Sequence, residues 1–254
     1  MEIIDFHTHP FSCTREIINA YAYAVEPQAD TVTYELGRAG IDRFCGSVLR
    51  PSEGGAFEVL HECNLTALKL QKLYKGRYIP GFHVSPLHVD ASVKEIHLAR
   101  DNGIRLIGEI VPYMHGWDYS CEAFSALLEE IEPTGMAVNL HTLDLDQMRR
   151  IALEHKRISF VFAHPGERDR IDRHVAIMKE LDNVYLDISG TGILRFGMLR
   201  HLVQQVGHER ILFGTDYPDT NPNLYVACVQ SEHINDAQRE SIYSLNAKRL
   251  LGLD

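Results

Sequence analysis

Cysteine is sparse and unpatterned in this chain of 254 residues. The five present (Cys13, Cys45, Cys63, Cys121 and Cys228) make an odd count with no C-x-x-C spacing. That excludes a disulfide framework and a thiolate zinc site. Long apolar runs are missing as well: none approaches the roughly 18 residues of a membrane span. The opening MEIIDFHTHP has neither the basic start nor the apolar stretch of a secretory signal. Positive charge is in deficit, 25 Lys and Arg against 35 Asp and Glu, which argues against nucleic acid or an anionic membrane as partner. No Pro-, Ser- or Gly-rich linker, low-complexity tract or repeat divides the sequence. These absences leave one domain over 1–254, expected in the cytoplasm, acting on a small molecule and compatible with a homo-oligomer.

What is abundant is histidine, with 14 residues. Their placement follows from the pattern of apolar segments. Short runs rich in β-branched and aromatic residues recur at 3–6, 43–48, 78–82, 104–110, 137–140, 159–163, 184–188 and 211–214. Helical periodicity fills the gaps, as in Phe57, Leu60, Leu65, Leu68 and Leu73, with N-caps expected at Asp90 and Ser120. Eight alternating strand–helix units predict an α/β fold, a single-domain (β/α)8 TIM barrel. A doubly wound open sheet would place a glycine-rich phosphate loop after the first strand, and HTHPFSC stands there instead. The stretch 11–30 exceeds an ordinary βα loop and is expected to form part of a lid.

In such a barrel the active site lies at the C-terminal ends of the strands. The first strand ends in His7 and His9, two apart and therefore on one face. The fifth runs into His141, the sixth into His164 and the eighth into Asp216. Four histidines and an aspartate at equivalent positions on four strands point to a metal site, since imidazole and carboxylate suit a divalent ion. Glu109 places a carboxylate in the apolar fourth strand and is read as a further ligand. Asp5 alternates with His7 and is read either as its outer partner or as a buried structural pair. Arg50 and Arg168 are candidates for binding a substrate carboxylate, and Tyr113 and Trp117 for an aromatic wall. His83, His88 and His115 lie near enough to line the mouth; His61, His97, His155, His174, His201, His208 and His233 are expected to be solvated.

The ordered series HTH, GEI, NLHT, AHPG and ILFGTDYP, with the closing QRESIYSLNAKRLLGL, resembles the amidohydrolase superfamily and most closely its amidohydrolase-2 branch. The resemblance spans nearly the whole chain. It implies that His7, His9, His141 and Asp216 hold a divalent metal, most often zinc, and that His164 acts beside it. Many members bridge two metals with a carboxylated lysine. Here Glu109 takes that place, as in the TatD-like hydrolases whose GEI motif this segment resembles, so one ion and two remain open.

The function expected is hydrolysis of a small amide, lactone or ester by a metal-activated water, with Asp216 and His164 catalytic and Glu109 favouring attack by water. The alternative is a non-oxidative decarboxylase or hydratase of the same branch. A barrel that keeps its metal only as a staple would not need ligands on so many strands. A phosphoesterase of the polymerase-and-histidinol-phosphatase type would close on Asp-x-His, whereas the late motif is Asp216-Tyr217-Pro218.

Overall fold

The computed structural model describes residues 1–17, 26–52 and 55–254. Eight parallel strands occur in sequence order: β1 (Ile4–Thr8), β2 (Arg43–Gly46), β3 (Tyr78–Phe82), β4 (Leu106–Ile110), β5 (Ala137–Leu140), β6 (Phe160–Phe162), β7 (Val184–Asp187) and β8 (Ile211–Leu212). Helices intervene: α1 (Thr31–Arg38), α2 (Phe57–Leu73), α3 (Val89–Asp101), α4 (Glu122–Ile131), α5 (Leu145–Glu154), α6 (Arg168–Glu180) and α7 (Met198–Val206), with α8 (Pro222–Ser231) after β8. This is the (β/α)8 barrel expected from the apolar pattern.

The seam between β8 and β1 is closed by three backbone bonds. Phe6 N–H donates to Phe213 O, Asp216 N–H to His7 O, and His9 N–H to Tyr217 O, at 2.7–2.8 Å. It therefore ties His7 and His9 to the neighbourhood of Asp216.

Two apolar layers hold the barrel. Ile4, Phe6, Cys45, Leu106, Ala137, Val161 and Leu212 share one cluster, with Ile79 and Tyr185 packed on it. Residues from all eight strands meet in this way only inside a closed barrel. Ala247 and Leu251 of the C-terminal helix belong to the same cluster. A larger layer lies between strands and helices and includes Leu36, Ile96, Leu127, Met148 and Leu202.

Some local expectations shift. In α2 the buried stripe is Leu60, Cys63, Asn64, Ala67 and Leu70, while Leu65 and Leu73 face outward. α3 begins one residue before Asp90, which lies in its first turn, and α4 is preceded by Cys121 rather than Ser120. Residues 18–25, the middle of the expected lid, lie outside the described residues.

Candidate metal centre

Two strand irregularities aim the site. The β1–β2 ladder slips by a residue between Asp5 and Thr8, and the β4–β5 ladder between Ile107 and Ile110. Such bulges break the strict alternation of a strand and redirect side chains. Phe6 fills the barrel interior, yet the adjacent His7 turns into the mouth; Leu106 fills it too, yet Glu109 reaches the same mouth three residues on.

Glu109 is the hub of the cluster. Its Oε2 lies 3.6 Å from His7 Nε2 and 3.4 Å from His9 Nε2. Its Oε1 lies 2.8 Å from His141 Nδ1 and 3.3 Å from His164 Nε2. Asp216 Oδ1 completes the first pair, 3.4 Å from both His7 Nε2 and His9 Nε2. One carboxylate thus stands between two pairs of imidazoles. His7, His9 and Glu109 form one compact donor set; Glu109, His141 and His164 form another; and His7, His164 and Asp216 a third.

The rings are held from behind. His9 Nδ1 donates to Ser47 O at 3.1 Å, and His7 Nδ1 lies 3.0 Å from Asp187 Oδ2. Such outer partners orient metal-binding imidazoles and leave Nε2 for the ion. His7 Nε2 is buried with no hydrogen-bond partner, although two carboxylates face it at longer range. An imidazole nitrogen left bare in the interior is costly unless it has a ligand, so these residues fit a divalent cation.

Electrostatics agree. Burial opposes charge on Glu109, but His7 and His141 outweigh it and hold the carboxyl well below its usual range. Burial likewise opposes charge on Asp216, and the imidazoles of His7 and His9 beside it, with His164 near, hold the carboxyl well below its usual range. Backbone geometry singles out two members: His164 and Asp216, at φ 65° and 66°, are the two non-glycine residues with positive φ among those described. Left-handed φ at non-glycine residues costs about 1–3 kcal/mol and clusters at functional sites.

A cleft of about 390 Å³ opens over the cluster, lined by Tyr113, Leu49, Val111, Met114 and Pro218 with the carboxylates of Glu16 and Asp219. A second arm, sharing His141, His164 and Asp216, runs past Thr142, Gly166 and Gly190 to Arg170.

Other candidates lie elsewhere. Arg168 lines a separate surface hollow with Arg195 and Phe196, and the arginine at the cleft is Arg170, two residues on and just over half a helical turn around α6. Arg50 pairs with Glu62 at 2.8 Å. Trp117 packs on Phe124 and Tyr119, with ring centroids 5.0 and 6.0 Å away, as part of the core edge rather than a substrate wall. Tyr113 does border the cleft, its ring edge-on to His141. Asp5 takes the structural role: its carboxylate accepts from the Thr215 hydroxyl and from the backbone of Thr215 and His7. His83 bonds Val48 O and His88 bonds Gly55 O. His155 and His174, expected in solvent, are buried: His174 on the inner face of α6, and His155 just past the end of α5 with its Nε2 2.9 Å from Ser125 Oγ.

The family model described as Amidohydrolase matches residues 4–253. The chain belongs to the amidohydrolase-2 family. At the level of sequence, no curated protein matches it. Solved structures similar to it include 2,6-dihydroxybenzoate decarboxylase from Rhizobium, 16% identical with a TM-score of 0.73, covering 99% of both chains. Another is 5-carboxyvanillate decarboxylase from Sphingomonas paucimobilis, 14% identical with a TM-score of 0.71, covering 100% of this chain and 99% of that one. A third is dihydroxybenzoic acid decarboxylase from Polaromonas sp. JS666 with bound manganese and the inhibitor 2-nitroresorcinol, 14% identical with a TM-score of 0.73, covering 99% and 97%. Likeness at this identity establishes the shared barrel. Among the described residues, no helix is long and apolar enough to cross a membrane.

Proposed function

We propose that this family member is a metal-dependent enzyme acting on a small carboxylic acid, and that the reaction is non-oxidative decarboxylation. Its metal dependence rests on one observation above all: the bare, buried His7 Nε2 facing two carboxylates. The choice of decarboxylation rests on the three similar structures, which act on hydroxylated aromatic acids by their names. The cleft is consistent with such a substrate. Arg170 at one end suits a carboxylate, the apolar wall suits a flat ring, and Glu16 and Asp219 offer acceptors to hydroxyl groups.

His7, His9, Asp216 and Glu109 Oε2 would hold one ion, and Glu109 Oε1, His141 and His164 a second. The donor set has no thiolate and suits manganese as well as zinc. A divalent ion there supplies Lewis acidity toward a substrate oxygen. Replacing a carbon–carboxylate bond by C–H releases CO2 and requires a proton at that carbon. Asp216 and His164 border both arms and are the groups that can hold it.

Hydrolysis is the second reading. Glu109 between two imidazole pairs favours it, because a bridged two-ion site suits water activation. The deciding experiment gives metal-loaded protein dihydroxybenzoates and related acids, then lactones and esters. Loss of CO2 from an acid supports decarboxylation; turnover of a lactone or ester with no CO2 release from any acid overturns it.

A further inference from the structure

Asp187 and Ser189, at the C-terminal end of β7, are fully buried and border neither arm of the cleft. Asp187 accepts four hydrogen bonds. Asn139 Nδ2 and His7 Nδ1 reach Oδ2 at 3.3 and 3.0 Å, and the Ser189 N–H reaches Oδ1 at 3.0 Å, where the Ser189 hydroxyl also donates. An ionised carboxylate only accepts, and four bonds are its full complement.

The position of each shared proton follows. A hydroxyl has one proton, and that of Ser189 goes to Asp187. Ser189 Oγ therefore offers only a lone pair to His164 Nδ1, 3.0 Å away, so the proton in that contact belongs to the imidazole. The same holds at His7, since Asp187 cannot donate. We propose that Asp187 and Ser189 are positioning residues: one carboxylate fixes the tautomers of two imidazoles, His7 directly and His164 through the serine hydroxyl. Both rings carry their proton on Nδ1 and turn a bare Nε2 toward the cluster. Neutral His164 then takes a proton or an ion at Nε2 and cannot donate there until it is charged. The consequence for ligation rests on the metal-centre reading above; the tautomers do not.

The test uses the full chain labelled with ¹⁵N-histidine and stripped of metal, with two-bond ¹H–¹⁵N spectra recorded through an alkaline pH series to read each ring in its neutral form. His164 and His7 are expected as Nδ1–H, against the Nε2–H form that a free histidine side chain favours. Ser189→Ala should release His164 to the Nε2–H form or a mixture and leave His7 unchanged, whereas Asp187→Asn should disturb both. A wild-type His164 in the Nε2–H form, or a His164 tautomer unchanged in Ser189→Ala, overturns the proposal. Metal content is measured separately on wild type loaded with Mn²⁺ or Zn²⁺. A chain that takes up neither ion sinks the metal-centre reading, while the spectra still decide the tautomers.

Discussion

Gly190 lies so close to His164 that a β-carbon on it would stand 2.3 Å from the ring's Nδ1. The loop after β7 can therefore pass behind the imidazole only as glycine, and its φ of +61° favours glycine as well. Gly190→Ala should lower stability by roughly 1–2 kcal/mol, the cost of a left-handed non-glycine residue. It should reduce turnover more severely, by about 10- to 100-fold, because the ring must shift. Thermal melts beside steady-state rates check the pair, and unchanged turnover would show that the position of His164 does not matter.

Glu109 divides its oxygens between two imidazole pairs, and an amide cannot do so. In Glu109→Gln one oxygen becomes an NH2 group, which has no lone pair to offer a cation and carries no negative charge. We expect the variant to hold at least one ion fewer per chain than wild type, counted by elemental analysis. The rate should fall by more than the roughly 10- to 100-fold typical of losing an outer partner. Chelation of wild type should abolish turnover, with Mn²⁺ or Zn²⁺ restoring it. A variant with the full metal complement would end the bridging assignment.

The two arginines of α6 make a matched control. Arg170 borders the cleft arm that reaches His164, and Arg168 lines the separate hollow. Losing a charged hydrogen bond costs about 1.5–3 kcal/mol. Arg170→Met should therefore raise KM for a carboxylate substrate by about 10- to 100-fold with kcat less affected, while Arg168→Met stays near wild type. The reverse result, measured on the same acid, would return the anchoring role to Arg168.

The cluster at the barrel mouth was legible because its chemistry conflicts with its surroundings: His141, His164 and Asp216 end apolar strands, where imidazole and carboxylate need a reason. Asp187 carries the same signal as Glu109, a carboxylate within an apolar strand at 184–188, but is not among the candidates drawn from the sequence. The bulges in β1 and β4 were not legible, because register belongs to the pair of strands and not to either sequence. For that reason the alternation argument placed Asp5 on the face of His7, whereas Asp5 bonds across the seam to Thr215. Trp117 misled for a different reason. Its rarity drew notice, but rarity does not tell packing against Phe124 from contact with a substrate.

His174 makes its own acid-sensitive contribution to stability. Its ring is buried against Phe162, neither nitrogen has a hydrogen-bond partner, and burial, with Arg170 nearby, pushes its pKa down to about 3. The folded state thus keeps this imidazole neutral, whereas the unfolded chain protonates it near pH 6.5. Below that value the unfolded state binds more protons, so stability falls with pH between about 6.5 and 3 and the contribution is complete above it. His83, held by burial at about 3, adds a second proton of the same sign. From pH 7 to 5.5 each site should cost about 1 kcal/mol. Urea unfolding in chelator, which removes metal linkage, measures the slope. His174→Leu should flatten it by close to one proton, and an unchanged slope would mean that His174 takes up its proton in the folded chain.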